Sequence, residues 1–140
     1  MKLVKITMAI LFISLINVSF GQKVKIAKDV ITIDKEEFGK IEDDKAVRGS
    51  FYLNDLNDNN LLYFKWVLSG SLNYFEIYRA DNLDTILYEE EAVMGFRKYF
   101  IKKLFNAKAF VNSGIDSDKL DYYAKKMGKE FSRTRSDQRY

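Results

Sequence analysis

The sequence predicts an α+β domain, an antiparallel β-meander of six or seven strands followed by two C-terminal helices packed on one face of the sheet. Three observations carry this expectation. Short β-type runs separated by polar turns fill residues 24–91. After Glu91 the apolar period lengthens from two to three or four residues. Strands thus come first and helices last, an order that segregates helices to one side of an antiparallel sheet.

The strands are expected near 24–27, 30–34, 38–42, 49–54, 61–69, 72–80 and 85–89. Their connections are short, at Lys28-Asp29, Lys35-Glu36, Ser69-Gly70-Ser71 and 80–84, and short connections join neighbours antiparallel. The chain has no proline, so its turns are made by Gly, Asn, Asp, Ser and Lys. Alternation in the two longest strands puts Leu62, Phe64, Trp66 and Leu68 on one side, with Phe75 and Ile77. The other side carries Tyr63, Lys65, Tyr74, Glu76 and Tyr78, a mixed surface suited to water.

The apolar side needs a cover, and the first helix provides a stripe of Val93, Phe96, Phe100, Ile101, Leu104 and Phe105. It is expected to end near Asn112, with Gly114 as the left-handed cap residue. Asp116 is a good N-cap for the second helix, and Ile115 before it can staple against Leu120. The second stripe is Leu120, Tyr123, Ala124, Met127 and Phe131. Gly128 inside that helix would cost about 1 kcal/mol relative to Ala. Residues 132–140, with Arg133, Arg135 and Arg139, read as a polar basic tail that frays.

Ahead of the domain stands a leader. Lys2 and Lys5 precede an uncharged run over residues 6–16, and Ser19-Phe20-Gly21 places small residues at alternate positions. That is the layout of a signal peptide, residues 1–21, with cleavage near Gly21/Gln22 and export to the periplasm or the medium. The run is about half the length a membrane span requires. Removal leaves 119 residues, enough for one domain over 22–131 plus the tail, and 19 of the 21 aromatic residues survive to build its core.

The inventory narrows the chemistry. Without cysteine there are no disulfides, thiol nucleophiles or thiolate metal sites. Without histidine the usual general base and the commonest metal ligand are missing. Neither a cofactor nor a metal is expected. Beyond the leader, 21 basic side chains face 20 acidic ones, too even a balance to argue for nucleic acid.

The start Gln22-Lys23-Val24-Lys25-Ile26, followed by Lys28-Asp29-Val30 and the run 31–34, resembles the mature start of small exported proteins of Bacteroidetes-type bacteria. Those proteins also set a β-rich half before a basic helix and a closing helix, and they form a group without an assigned activity. The resemblance implies export and supplies no chemistry.

Four constellations carry candidate function. Residues 55–60, Asp-Leu-Asn-Asp-Asn-Asn, look like the opening of a calcium loop, but its twelfth position is Trp66 and its sixth is Asn60 in place of Gly. The same residues suit a polar hairpin turn. No acidic residue occurs from Ala92 to Ile115, while Arg97, Lys98, Lys102, Lys103 and Lys108 make a cationic amphipathic helix. Such a helix either meets an acidic partner or anionic membrane, or simply keeps its outer face solvated. Tyr63, Tyr74 and Tyr78 offer rings that stack on sugars or peptides if they are open, and ordinary strand packing if they are not. Glu42, Asp43, Asp44, Glu89, Glu90 and Glu91 are numerous enough for a carboxylate hydrolase, although nothing in their spacing pairs them. The expectation is therefore an exported, soluble, non-enzymatic domain that binds an envelope or extracellular protein or glycan. Its candidate contacts are Tyr63, Tyr74, Tyr78, Arg97, Lys98 and Lys102, with weak anionic-membrane contact and a glycosidase-like hydrolase as the alternatives.

Overall fold

A computed structural model of the chain describes residues 23–112 and 114–137. The expected leader, the proposed cleavage point after Gly21, and Arg139 and Tyr140 lie outside these residues. Seven strands form one antiparallel sheet in sequence order: β1 (Val24–Ala27), β2 (Val30–Ile33), β3 (Glu36–Asp43), β4 (Phe51–Asn54), β5 (Asn60–Ser69), β6 (Leu72–Arg79) and β7 (Tyr88–Glu91). Helix α1 (Phe96–Asn106), a two-stranded ribbon of β8 (Phe110–Val111) and β9 (Gly114–Ile115), α2 (Ser117–Met127) and α3 (Phe131–Asp137) follow. Among the described residues no helix is long and apolar enough to cross a membrane.

The α+β meander is the architecture expected, and its two longest strands pair as alternation requires, with Phe64 opposite Ile77 and Trp66 opposite Phe75. Helix α1 lies on that face and buries Phe100, Ile101 and Leu104. Aromatic rings fill the space between: Phe64 is 4.6 Å from Phe51 and 5.5 Å from Phe100, and Phe75 is 5.2 Å from Phe100, centroid to centroid. Each such pair adds about 1 kcal/mol to the burial itself. Leu68, at the far end of β5, escapes this cover and is exposed.

The first two hairpins turn on two residues each, Lys28-Asp29 and Asp34-Lys35, all four left-handed at φ 50°, 66°, 51° and 70°. Two consecutive left-handed residues match the twist of the flanking strands. The second turn therefore sits one residue earlier than expected, because Ile33 pairs with Glu36.

Four further boundaries depart from expectation. Strand β7 spans Tyr88–Glu91 instead of 85–89, since Ile77 pairs with Tyr88. Helix α1 stops at Asn106, not near Asn112. The amide of Lys108 donates to the carbonyl of Phe105 and that of Ala109 to Leu104, a Schellman ending in which Lys108 takes the left-handed position at φ 60°. Gly114 caps nothing and lies in β9. Helix α2 ends at Met127, and Gly128 is its extended C-cap rather than an interior residue. Phe131 opens α3, so residues 132–137, expected to fray, are helical.

The largest departure concerns the second face of the sheet. The expectation of a water-facing surface over Tyr63, Lys65, Tyr74, Glu76 and Tyr78 does not hold for four of the five: Tyr63, Tyr74, Glu76 and Tyr78 are buried. Helix α3 supplies part of the cover. Phe131 stacks on Tyr74 at 5.0 Å, Arg135 reaches Glu76 at 3.4 Å, and the Ser132 amide donates to the Glu89 carboxylate at 3.0 Å. Helices thus occupy both sides of the sheet.

Candidate binding site

Strand alternation in β7 sends Tyr88 and Glu90 to the α1 side and Glu89 and Glu91 to the α3 side. Glu90 is consequently buried between sheet and helices. Its Oε1 accepts from the Tyr123 hydroxyl of α2 at 2.7 Å and from Lys103 Nζ of α1 at 3.1 Å. Lys103 also donates to the Tyr99 hydroxyl at 3.0 Å. Burial pushes the Lys103 amine down, but the hydrogen bonds to Tyr99 and Glu90 outweigh it and leave the amine above its ordinary value. Tyr123 is pushed well above the ordinary phenol value, first by burial and then by its bond to Glu90. Glu90 Oε2 has no donor among the described residues. One carboxylate therefore ties α1 and α2 to the sheet edge.

In front of this anchor a recess of about 390 Å³ opens between the helices, lined by Lys103, Asn106, Ala107, Tyr122, Tyr123, Lys126 and Met127. Three large apolar side chains stand exposed around it: Tyr99 at 39 %, Met127 at 39 % and Tyr122 at 67 %. Two are already paired with cations, Lys103 lying 4.8 Å from the Tyr99 ring and Lys126 5.9 Å from Tyr122. Helix α1 has no acidic residue. Asp121 of α2 is engaged elsewhere, by Arg79 at 2.6 Å. The recess thus combines aromatic walls with cations and no acceptor carboxylate in its lining.

The residues singled out from sequence divide into three groups. Tyr63, Tyr74 and Tyr78 do share one face, but their rings are buried, so no stacking platform is open there. Their hydroxyls donate inward, Tyr63 to Asp44 at 2.6 Å and Tyr74 and Tyr78 to Glu76 at 3.2 and 2.7 Å. Arg97 pairs with Asp43 and lies 5.4 Å over the Phe51 ring, which commits it to the fold. Lys98 and Lys102 are exposed on α1, and among the described residues neither has an ionic partner. The structure does not bring the tyrosines and the α1 cations together, since they lie on opposite sides of the sheet.

The carboxylates flagged in the sequence are occupied. Asp44 accepts from Tyr63, Ala46 and Val47, Glu42 from Asn54, Glu89 from Ser132, and Glu91 lies 3.8 Å from Lys129. In the 55–60 segment, Asp55 accepts from the amides of Asn57 and Asn59 and from the Asn59 side chain, while Asp58 pairs with Lys40 at 2.9 Å. The Asp55 oxygens face the turn's own donors, and among the described residues no three His, Cys, Asp or Glu side chains gather as a cation site.

Sequence reasoning missed Tyr99, Tyr122 and Lys126. The signal was present: each lies off the apolar stripe of its own helix, and an aromatic ring on the polar side of a helix is unexplained by the core. Glu90 was singled out only as one of six carboxylates, and its anchoring role was hidden because the strand was expected to end at Glu89. No protein-family model, curated protein or solved structure matches this chain.

Proposed function

We propose that the chain is an exported, non-enzymatic interaction module that engages a partner in the cell envelope or outside the cell through its helical face. The observation that carries this is the recess between α1 and α2, where exposed Tyr99, Tyr122 and Met127 stand among Lys103 and Lys126. Exposed tyrosines beside cations supply large contact area at small entropic cost, the usual anchors of recognition surfaces. Export is argued from residues 1–21, which have the layout of a signal peptide.

Two alternatives have less behind them. Glycoside hydrolysis uses two carboxylates flanking a cleft, whereas Glu76, Glu89 and Glu90 are buried and engaged by tyrosine, lysine, arginine and backbone donors. An interfacial helix needs a free apolar stripe, whereas Phe100, Ile101 and Leu104 of α1 are spent on the sheet.

A photo-crosslinking residue placed at Tyr122, or at Thr32 on β2 as a control, tests the module in the source cells. A discrete crosslinked species is expected from position 122 and not from position 32. Equal labelling at both positions, or none at either, refutes it. N-terminal sequencing of the same material is expected to start at Gln22.

A further inference from the structure

We infer that the recess between α1 and α2 takes an acidic peptide segment carrying a large apolar anchor residue, with the anchor seated between Tyr122, Met127 and Ala107 and a flanking carboxylate meeting Lys126. The inference rests on the module reading above and names its ligand class. Three features of the recess define that class. Its walls are apolar and aromatic over most of their area, which calls for an apolar side chain of the ligand. Its free charge is cationic: Lys126 lines it without an ionic partner among the described residues, and no carboxylate stands in the lining. Its one internal cation, Lys103, is held by Glu90, so the charge left for a ligand is on the rim.

Charge complementarity on the rim fixes the sign of the ligand, and the shape fixes its form. A concave slot between two helices admits a linear segment, whereas a lipid surface is planar and needs an apolar helix face that α1 has already buried. Nucleic acid is disfavoured because the recess offers one free lysine and not a basic stripe, and the charge beyond the leader is close to balanced. The backdrop is rigid. Glu90 pins Lys103 and Tyr123, two of the lining side chains, so the slot is formed before the ligand arrives.

The test titrates the full chain with a fluorescein-labelled peptide, acetyl-Glu-Asp-Glu-Phe-Glu-Asp-Glu-amide, beside its lysine-for-acid counterpart and phosphatidylglycerol vesicles. Binding of the acidic peptide alone is expected. Lys126→Glu and Tyr122→Ala, both at exposed positions, are each expected to weaken it roughly tenfold, and Lys45→Glu in the β3–β4 connection to leave it within about twofold. Binding that ignores Lys126→Glu and Tyr122→Ala, binding of the basic peptide or the vesicles in its place, or no binding at all overturns the inference. In those cases crosslinking from position 122 still separates the two ideas, because a partner captured there keeps the module reading and sinks only the acidic ligand.

Discussion

Raising the pH should unfold this protein over a narrow range, and tyrosine burial sets where. Five phenols, Tyr63, Tyr74, Tyr78, Tyr88 and Tyr123, are held above their ordinary value of 10.0, in each case first by burial; Tyr74 is pushed up to about 12. Four of them donate to carboxylates, so ionisation would set two negative charges a hydrogen bond apart. A group whose folded value is raised keeps its proton in the native state after the unfolded chain has released it. Its contribution is complete below pH 10 and is lost as the pH climbs through the folded value. By linkage each retained proton costs about 1.4 kcal/mol per pH unit once the unfolded phenols are ionised. At pH 11 the loss is about 1.4 kcal/mol per phenol, or about 7 kcal/mol for five, comparable with the whole stability of an ordinary domain. Lys103 acts in the same direction, since its folded amine lies above 10.5. The assay follows absorbance at 295 nm, which reports phenolate, together with far-ultraviolet circular dichroism. Ionisation of these tyrosines should coincide with loss of the sheet near pH 11, and Tyr123→Phe should flatten the pH slope by about a fifth. A smooth titration of all tyrosines near pH 10 with the sheet intact would refute the reasoning.

Three further predictions concern particular contacts. Gly49→Ala places a Cβ 2.5 Å from the Trp66 ring at a residue with φ 82°, and is expected to cost about 2–4 kcal/mol in urea unfolding followed by the fluorescence of the single tryptophan. Lys103→Met leaves the Glu90 carboxylate buried without its cation and should cost about 2 kcal/mol, most of it recovered by adding Glu90→Gln, as a double-mutant cycle would show. Phe131→Ala removes the ring stacked on Tyr74, and trypsin cleavage after Lys129 is expected to quicken about tenfold while the meander stays intact by circular dichroism.

The meander was legible because its signals are local. Alternation in residues 62–68 and 73–78 put the right side chains on the right faces, and the second helix announced itself through Asp116, whose carboxylate does accept from the Lys119 amide. What was illegible depended on partners far away in sequence. The end of α1 was sought at a glycine, but Lys108 takes the left-handed position, so the stop signal was absent from the composition. The second face of the sheet looked wet because Lys65 and Glu76 alternate with tyrosines. It is closed by Phe131 and Arg135, more than fifty residues downstream, in a stretch whose polarity argued for fraying. The candidate site was partly visible as the acid-free run from Ala92 to Ile115, but which of its cations are spent on the fold depended on Asp43 and Glu90, and no spacing rule connects those to α1.

The strand order also governs how the chain assembles. Every strand of the large sheet pairs with its immediate predecessor, so each closure spans a short stretch of chain and the hairpins can zip in succession with little entropic delay. The hydrophobic lid, residues 96–106, follows the whole sheet in sequence. Without residues 96–106, Phe51, Phe64 and Phe75 would stand bare on the sheet beside an unblunted β7 edge. A chain truncated after Glu91 should accordingly aggregate rather than dissolve, its aromatic face left open to water.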